Sequence, residues 1–196
     1  MNLEQFDGLI FDLDGTLVDT MPLHLSAWER AAGEFGFHYD ADWLYSLGGV
    51  PSRKIARLIA EQQNISLDGD LVARVKNGHY QSQLLRAEAF PAMLSLLRQW
   101  SGVLPMAIGT GSARVNAERV LTNTGLSRYF PVVVTADEVT SHKPNPDTYL
   151  LAAEQLGLAP ERCLVFEDTP IGRQAARAAG MACVMVVDGM PRFEVG

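Results

Sequence analysis

The sequence lacks any apolar run long enough to cross a bilayer, since a membrane-spanning helix needs about 20 consecutive apolar residues. It also lacks a basic excess, because 16 Lys and Arg stand against 23 Asp and Glu, a formal net charge of −7. This charge argues against nucleic acid as a partner, since phosphate contacts need a basic surface. Small phosphate esters stay open as ligands, because they need only local positive charge.

Cysteine is scarce, and internal repeats and low-complexity segments are absent. Cys163 and Cys183, the two cysteines, both lie in apolar segments, which is typical of buried reduced thiols. The first residues are acidic and do not resemble a secretory signal peptide. These absences favour a cytosolic protein. The length of 196 residues allows one sizeable core, or a core with a small insert.

Short continuous apolar runs recur along the chain and predict strands buried on both faces of a parallel sheet. Helical patterns separate the later runs, so the order of elements predicts a doubly wound α/β fold. The predicted strands cover residues 8–12, 103–109, 131–134, 163–167 and 182–187, with Pro105 weakening the start of the second. The predicted helices cover residues 92–100, 113–123, 146–156 and 170–179.

The long stretch after the first predicted strand does not alternate between strand and helix patterns. Apolar residues recur there only at helical spacing, and the Gly-rich loop at residues 48–52 divides the stretch into helical parts. We therefore predict a parallel-sheet core of residues 1–17 and 86–196, with a helical cap of residues 18–85 inserted into it.

Polar side chains stand where the predicted strands end, which is the edge where open α/β sheets bind ligands. Four carboxylates at one edge would repel one another, and a divalent cation between them would remove the conflict. An oxygen ligand set without Cys or His favours Mg²⁺. The side chains are those of Asp12 and Asp14 after the first strand, Thr110 and Ser112 around Gly111 after the second, Lys143 after the third, and Glu167 and Asp168 at the end of the fourth.

Each of these groups alone has an ordinary structural explanation. Asp-x-Asp-Gly is common in turns, and Asp168 suits the N-cap of a helix that Pro170 would begin. A lone lysine such as Lys143 is usually solvated. Their joint occurrence at successive strand ends is what indicates a functional site.

Four segments resemble the four motifs of the haloacid dehalogenase superfamily: residues 12–17, Thr110-Gly111, Lys143-Pro144 and Glu167-Asp168. The resemblance covers essentially the whole chain, and the insert resembles the cap of β-phosphoglucomutase-like members. Residues 108–112 and the pattern over residues 19–28 resemble the fructose-1-phosphatase-like branch. The resemblance implies a Mg²⁺-dependent phosphatase that hydrolyses small sugar phosphate monoesters through an aspartyl-phosphate intermediate. We expect a monomer without nucleic-acid or membrane partners.

The catalytic residues expected from the resemblance are Asp12 as the nucleophile, Asp14 as general acid and base, and Lys143. An alkoxide leaving group needs a proton, and Asp14 is placed to supply it two residues beyond the nucleophile. Lys143 would pair with Asp12 and with the phosphate. Thr110, Gly111 and Ser112 would hold phosphoryl oxygens through hydroxyl and backbone N–H groups.

The expected Mg²⁺ ligands are the carboxylates of Asp12 and Asp168 and the backbone carbonyl of Asp14, with Glu167 acting through water. Two cap residues are further candidates for substrate binding. His24 matches a histidine near the hinge of β-phosphoglucomutase-like proteins, although a lone histidine on a helix face is as often structural. Arg53 is placed to touch a distal phosphate or hydroxyl, but its register does not match the cap arginine of β-phosphoglucomutases.

Other functions stay open on the sequence alone. A β-phosphoglucomutase would use the same residues and return the phosphoryl group to a sugar hydroxyl. A phosphonatase would need a cap lysine that attacks a carbonyl, and Lys54 and Lys76 stand in no motif of that kind. A dehalogenase would have no use for Asp14 or the metal-binding acids. A non-catalytic receiver module shares the acidic cluster but lacks a helical insert after the first strand.

Overall fold

The computed structural model describes residues 3–193, and a six-stranded sheet forms its centre. The strands are β1 (Gly8–Phe11), β2 (Met106–Gly109), β3 (Val132–Val134), β4 (Cys163–Glu167), β5 (Ala182–Val187) and β6 (Met190–Arg192). Their order in the sheet is β3-β2-β1-β4-β5-β6. The first five strands are parallel, whereas β6 pairs antiparallel with β5.

The predicted strands are all present, with two corrections. The second strand begins at Met106, three residues later than predicted, since Pro105 has no N–H to donate to the ladder. The antiparallel strand β6 was missed, so the sheet is not purely parallel. The Asp188-Gly189 turn that leads into β6 has φ values of 51° and 69°, and this conformation suits a two-residue hairpin turn.

Helices cover both faces of the sheet, as the doubly wound prediction requires. The residues of β1 alternate between the two faces: Leu9 and Phe11 pack into one cluster with residues of α5 and α6, while Ile10 packs into the other with residues of α7 and α8. The bounds of these helices are α5 (Pro91–Trp100), α6 (Arg114–Asn123), α7 (Asp147–Leu156) and α8 (Pro170–Ala178).

The segment between β1 and α5 is helical, and residues 20–88 contain no strand. Its helices are α1 (Met21–Phe35), α2 (Ala41–Ser46), α3 (Ser52–Gln63) and α4 (Gly69–Gln81). We call these four helices and the loops between them the cap. They enclose an apolar cluster of their own around Trp28, Ile59 and Val72. The boundaries at residues 17/18 and 85/86 remain predictions.

Local signals explain where several helices begin and end. Asp68 caps α4, because its side chain accepts hydrogen bonds from the backbone N–H groups of Asp70 and Leu71. Gly36 and Gly157 end α1 and α7 in the left-handed conformation that glycine adopts without strain. Within residues 3–193, no helix has both the length and the apolar character needed to span a membrane.

Candidate active site

The strand ends converge on the floor of a cavity of about 880 Å³ between the sheet and the cap. Asp12 lies at this floor, and Lys143, Glu167 and Asp168 are grouped around it. The sheet order explains this arrangement, because β1 lies between β2 and β4 and their carboxyl ends share one edge. The predicted residues that line the cavity are Asp12, Asp14, His24, Arg53, Thr110, Gly111 and Ser112.

Lys143 is fully buried and joins two carboxylates. Its Nζ donates to Asp12 Oδ1 at 2.7 Å and to Glu167 Oε1 at 2.8 Å. Burial lowers the pKa of Lys143, but the charges of Asp12 and Glu167 outweigh burial and raise it above its ordinary value. Burial raises the pKa of Asp12 well above its usual range; Lys143 opposes this shift and the neighbouring carboxylates add to it. A further positive charge near Asp12 would therefore stabilise its ionised form.

Glu167 has its hydrogen-bonding capacity occupied by the protein. Besides Lys143, Tyr149 OH donates to Oε1 at 3.1 Å, and the backbone N–H and hydroxyl of Thr169 donate to Oε2 at 2.7 and 2.9 Å. Gly172 has no room for a Cβ atom, because that atom would collide with the Glu167 carboxyl. Glu167 is thus fixed as the anchor that holds Lys143 beside Asp12.

Asp168, by contrast, has a buried carboxylate oxygen with no partner in the part of the chain that the structure describes. Thr16 Oγ1 donates to its Oδ1 at 2.9 Å, but among these residues nothing donates to Oδ2. Burial, followed by the charge of Glu167, raises its pKa to about 7. The alternative of Asp168 as an N-cap is wrong, because Thr169 caps α8 by accepting from the N–H of Gly172 at 3.0 Å.

These groups fit a divalent cation. Carboxylate oxygens of Asp12, Glu167 and Asp168 lie within 4.8 Å of one another. An unpaired buried carboxylate oxygen is costly unless a cation or a donor meets it, and Asp168 Oδ2 is such an atom. A hard cation with oxygen ligands, such as Mg²⁺, would satisfy it.

Asp14 is held by donors from both the core and the cap. Its Oδ1 accepts from Thr20 Oγ1 at 2.7 Å and Tyr80 OH at 3.1 Å, and lies 3.4 Å from His24 Nε2. Its Oδ2 accepts from Ser112 Oγ at 2.6 Å. Burial raises the pKa of Asp14, but the interactions with His24, Ser112 and Thr20 outweigh burial and lower it below its ordinary value. Asp14 is therefore ionised in this arrangement.

Lys76 and Tyr80, two cap residues next to His24, were not assigned to the site by the sequence interpretation. Lys76 is 2% exposed, and its Nζ lies 2.6 Å from His24 Nδ1 and over the rings of Trp28 and Tyr80 at 5.5 and 5.1 Å. Burial lowers the pKa of Lys76 to about 7, against the charge of Asp14. Burial and Lys76 also lower the pKa of His24. A neutral His24 accepts from Lys76 at Nδ1, so its Nε2–H faces Asp14.

The remaining cap candidate lies at the rim. Arg53 is exposed and forms an ion pair with Asp70 at the mouth of the cavity. Within residues 3–193, no hydrogen bond or ion pair joins Arg53 to the carboxylates around Asp12. Cys163 is buried and Cys183 is half-buried, and both are free thiols.

Comparison with known proteins decides the family. The pattern that defines haloacid dehalogenase-like hydrolases matches residues 9–186 of the chain. This chain belongs to that family. The hydrolase is 45% identical over 183 residues to "Fructose-1-phosphate phosphatase YqaB" of Escherichia coli, an alignment that covers 93% of this chain and 97% of the relative.

Two further similar proteins are a phosphatase and a β-phosphoglucomutase. The hydrolase is 31% identical over 206 residues to "Phosphorylated carbohydrates phosphatase" of Thermotoga maritima, which covers 97% of this chain and 91% of that protein. Its structure resembles that of β-phosphoglucomutase from Clostridium difficile, with a TM-score of 0.85 and 29% identity over 93% of this chain and 85% of that chain. The predicted α/β core with a helical cap is confirmed by this likeness.

The cap of the hydrolase touches the core through glycines. A Cβ atom on Gly111 would overlap the backbone carbonyl of Gly49, in the cap loop between α2 and α3. Gly49 itself has a φ of 81°, which side-chain-bearing residues rarely adopt. The absence of side chains at both positions lets the cap loop rest on residues 110–112 of the core.

We expect Gly111→Ala to weaken the contact between the cap loop and the core, because its methyl group would collide with the Gly49 backbone. The substitution keeps the backbone N–H at this position. Overpacking typically costs about 1–3 kcal/mol, so kcat/KM should fall roughly 10- to 100-fold. Steady-state phosphate release measures the effect. Gly33→Ala is the matched control, because Gly33 lies in cap helix α1 with open space around its Cβ position. A fully active Gly111→Ala enzyme would show that the contact with Gly49 is dispensable.

Proposed function

We propose that this hydrolase removes phosphate from small sugar phosphate monoesters, with Asp12 as the attacking carboxylate and Mg²⁺ as the cofactor. The observation that carries the proposal is the buried Asp12–Lys143 pair, 2.7 Å apart, at the floor of a cavity large enough for a sugar phosphate. The names of the two phosphatase relatives, which refer to fructose 1-phosphate and to phosphorylated carbohydrates, support the substrate class.

Asp12 and Asp168 would hold Mg²⁺ through their carboxylates, and Asp14 through its backbone carbonyl. When bound, the ion would neutralise charge on the phosphoryl group and so permit attack by an anion. Lys143 contributes a second positive charge beside Asp12. Thr110 and the N–H groups of Gly111 and Ser112 would orient the phosphoryl oxygens.

The reaction begins when an Asp12 carboxylate oxygen attacks phosphorus and the bond to the sugar oxygen breaks. Asp14 must carry a proton at that moment, and a dianionic phosphate beside it favours proton uptake by raising its pKa. Asp14 gives this proton to the departing alkoxide. It then accepts a proton from the water that attacks the aspartyl phosphate, and Asp12 is regenerated as phosphate leaves.

A second candidate is phosphoryl transfer between sugar hydroxyls, favoured by the structural likeness to β-phosphoglucomutase. The two activities differ in what accepts the phosphoryl group from Asp12, either water or a second sugar hydroxyl. Membership of a hydrolase family and the helical insert both argue against a receiver module. A monomeric enzyme of the cytosol remains a prediction.

A phosphate-release screen tests the proposal. We expect the protein to release phosphate from fructose 1-phosphate or other sugar phosphates in Mg²⁺, to lose turnover in EDTA and to regain it when Mg²⁺ is restored. Ca²⁺ should inhibit, because its larger coordination number would occupy the second oxygen of Asp12. Chromatography of the sugar products separates hydrolysis from isomerisation of glucose 1-phosphate. Full turnover in EDTA would exclude the metal-dependent mechanism.

A further inference from the structure

An amide donor in the cavity wall has no partner among the described residues 3–193. Asn116 lies in the first turn of α6, lines the cavity and is 4% exposed. Its Oδ1 accepts a hydrogen bond from Gln81 Nε2, the two atoms being 2.7 Å apart. Within residues 3–193 no group accepts from its Nδ2, and this nitrogen is not fully enclosed by protein, so a ligand in the cavity can reach it.

The orientation of this amide follows from an arginine. Arg119 Nη1 donates to Gln81 Oε1 at 3.1 Å. A guanidinium has no acceptor, so the oxygen of Gln81 must face Arg119 and its nitrogen must face Asn116. Asn116 in turn must present Oδ1 to Gln81. Its Nδ2 is therefore the group left for the cavity, and the usual ambiguity between amide oxygen and nitrogen does not arise.

The position of Asn116 suits recognition of the leaving group. Helix α6 begins at Arg114, two residues after the run 110–112 that would hold the phosphoryl group. Asn116 lines the same cavity as Asp12 and Asp14, on the core side, where it can meet the alcohol half of a bound ester. Gln81 ends cap helix α4, so this relay joins the cap to the core and orients the donor when the two are in contact.

We propose that Asn116 is a specificity-determining residue whose Nδ2 donates to a hydroxyl or ring oxygen of the sugar, with Gln81 and Arg119 as positioning residues. The inference rests on the proposed sugar phosphatase function and deepens it. A fixed donor discriminates because a leaving group without a matching oxygen leaves it unpaired when the cavity closes. The site selects polyol esters over esters whose alcohol carries no such oxygen.

Asn116→Leu tests the donor directly, because leucine has a similar size and no hydrogen-bonding group. The measured quantity is the ratio of kcat/KM for fructose 1-phosphate to kcat/KM for p-nitrophenyl phosphate, whose leaving group has no sugar oxygens. We expect this ratio to fall about 10- to 100-fold, with most of the change in KM for the sugar ester. An equal loss for both esters would indicate a structural role and overturn the proposal.

Gln81→Glu tests the orientation from outside the cavity, since Gln81 is not among the described residues that line it. A glutamate offers acceptors to both neighbours, so Arg119 donates to one oxygen and Asn116 Nδ2 turns to donate to the other. Asn116 Oδ1 then faces the cavity, and we expect the ratio to fall as in Asn116→Leu. Gln83→Glu makes the same charge change two residues away and should leave the ratio unchanged.

The outcomes separate the two proposals. A wild-type enzyme that hydrolyses p-nitrophenyl phosphate but no sugar phosphate would contradict the proposed function itself. If the wild type hydrolyses fructose 1-phosphate, and Asn116→Leu and Gln81→Glu retain its selectivity ratio with unchanged melting temperatures, the role of Asn116 is refuted. A fall of the ratio in both variants, but not in Gln83→Glu, supports it.

Discussion

Asp12→Asn is expected to abolish phosphate release, with a fall in kcat of at least about 10⁴-fold. A carboxamide oxygen is a poor nucleophile, so no aspartyl phosphate can form at this position. The substitution also removes an anionic partner of Lys143 and one oxygen of the carboxylate cluster. Steady-state phosphate release gives the loss of turnover, and intact-protein mass spectrometry of quenched samples shows whether a phosphoryl-enzyme still forms.

The local structure should survive this change. Asparagine has the size of aspartate, and Lys143 keeps Glu167 as an ionic partner at 2.8 Å. Asp7→Asn is the matched control, since Asp7 is an exposed aspartate paired with Arg162 outside the cavity. It should retain full activity. Loss of only a few-fold in Asp12→Asn, at an unchanged melting temperature, would mean that another group attacks phosphorus.

Much of the core could be predicted because its physical signals are local. Runs such as those of β1 and β4 are apolar on both faces, and only a sheet covered on both sides buries them. The hairpin strand β6 has three residues and includes Pro191, too little for a strand pattern. The Asp188-Gly189 dipeptide was the usable signal, because its residues tolerate the positive φ values of a tight hairpin turn.

The candidate site likewise has residues that the sequence could predict and residues that it could not. The rule that ligands bind at strand ends requires no knowledge of tertiary contacts, and it identified the residues that the sheet brings together around Asp12. Lys76 and Tyr80 could not be found by that rule, because they reach Asp14 and His24 from a cap helix. Their spacing of one helical turn places them on one face of α4, but only the fold shows that this face meets the core.

Asp14→Asn is expected to separate acid–base catalysis from attack by Asp12. Asparagine can preserve the contacts of this residue: its Oδ1 still accepts from Thr20 and Tyr80, and its Nδ2 can donate to Ser112 Oγ. Asparagine cannot, however, carry the proton that Asp14 would give to the leaving group. A sugar alkoxide needs that proton and a nitrophenolate leaves without it, so the defect should depend on the leaving group.

The first phosphoryl transfer in Asp14→Asn should slow by roughly 10²–10⁴-fold for fructose 1-phosphate and by clearly less for p-nitrophenyl phosphate. Asp14 is also the proposed base for hydrolysis of the aspartyl phosphate, so the intermediate should accumulate. The transfer must therefore be followed as a burst in rapid-quench experiments, because the steady-state rate would report the slower second step. Equal burst defects for the two esters would contradict a proton-donor role. Asp14 would then act through its backbone carbonyl or through its contacts with Thr20 and Tyr80, neither of which distinguishes one leaving group from another.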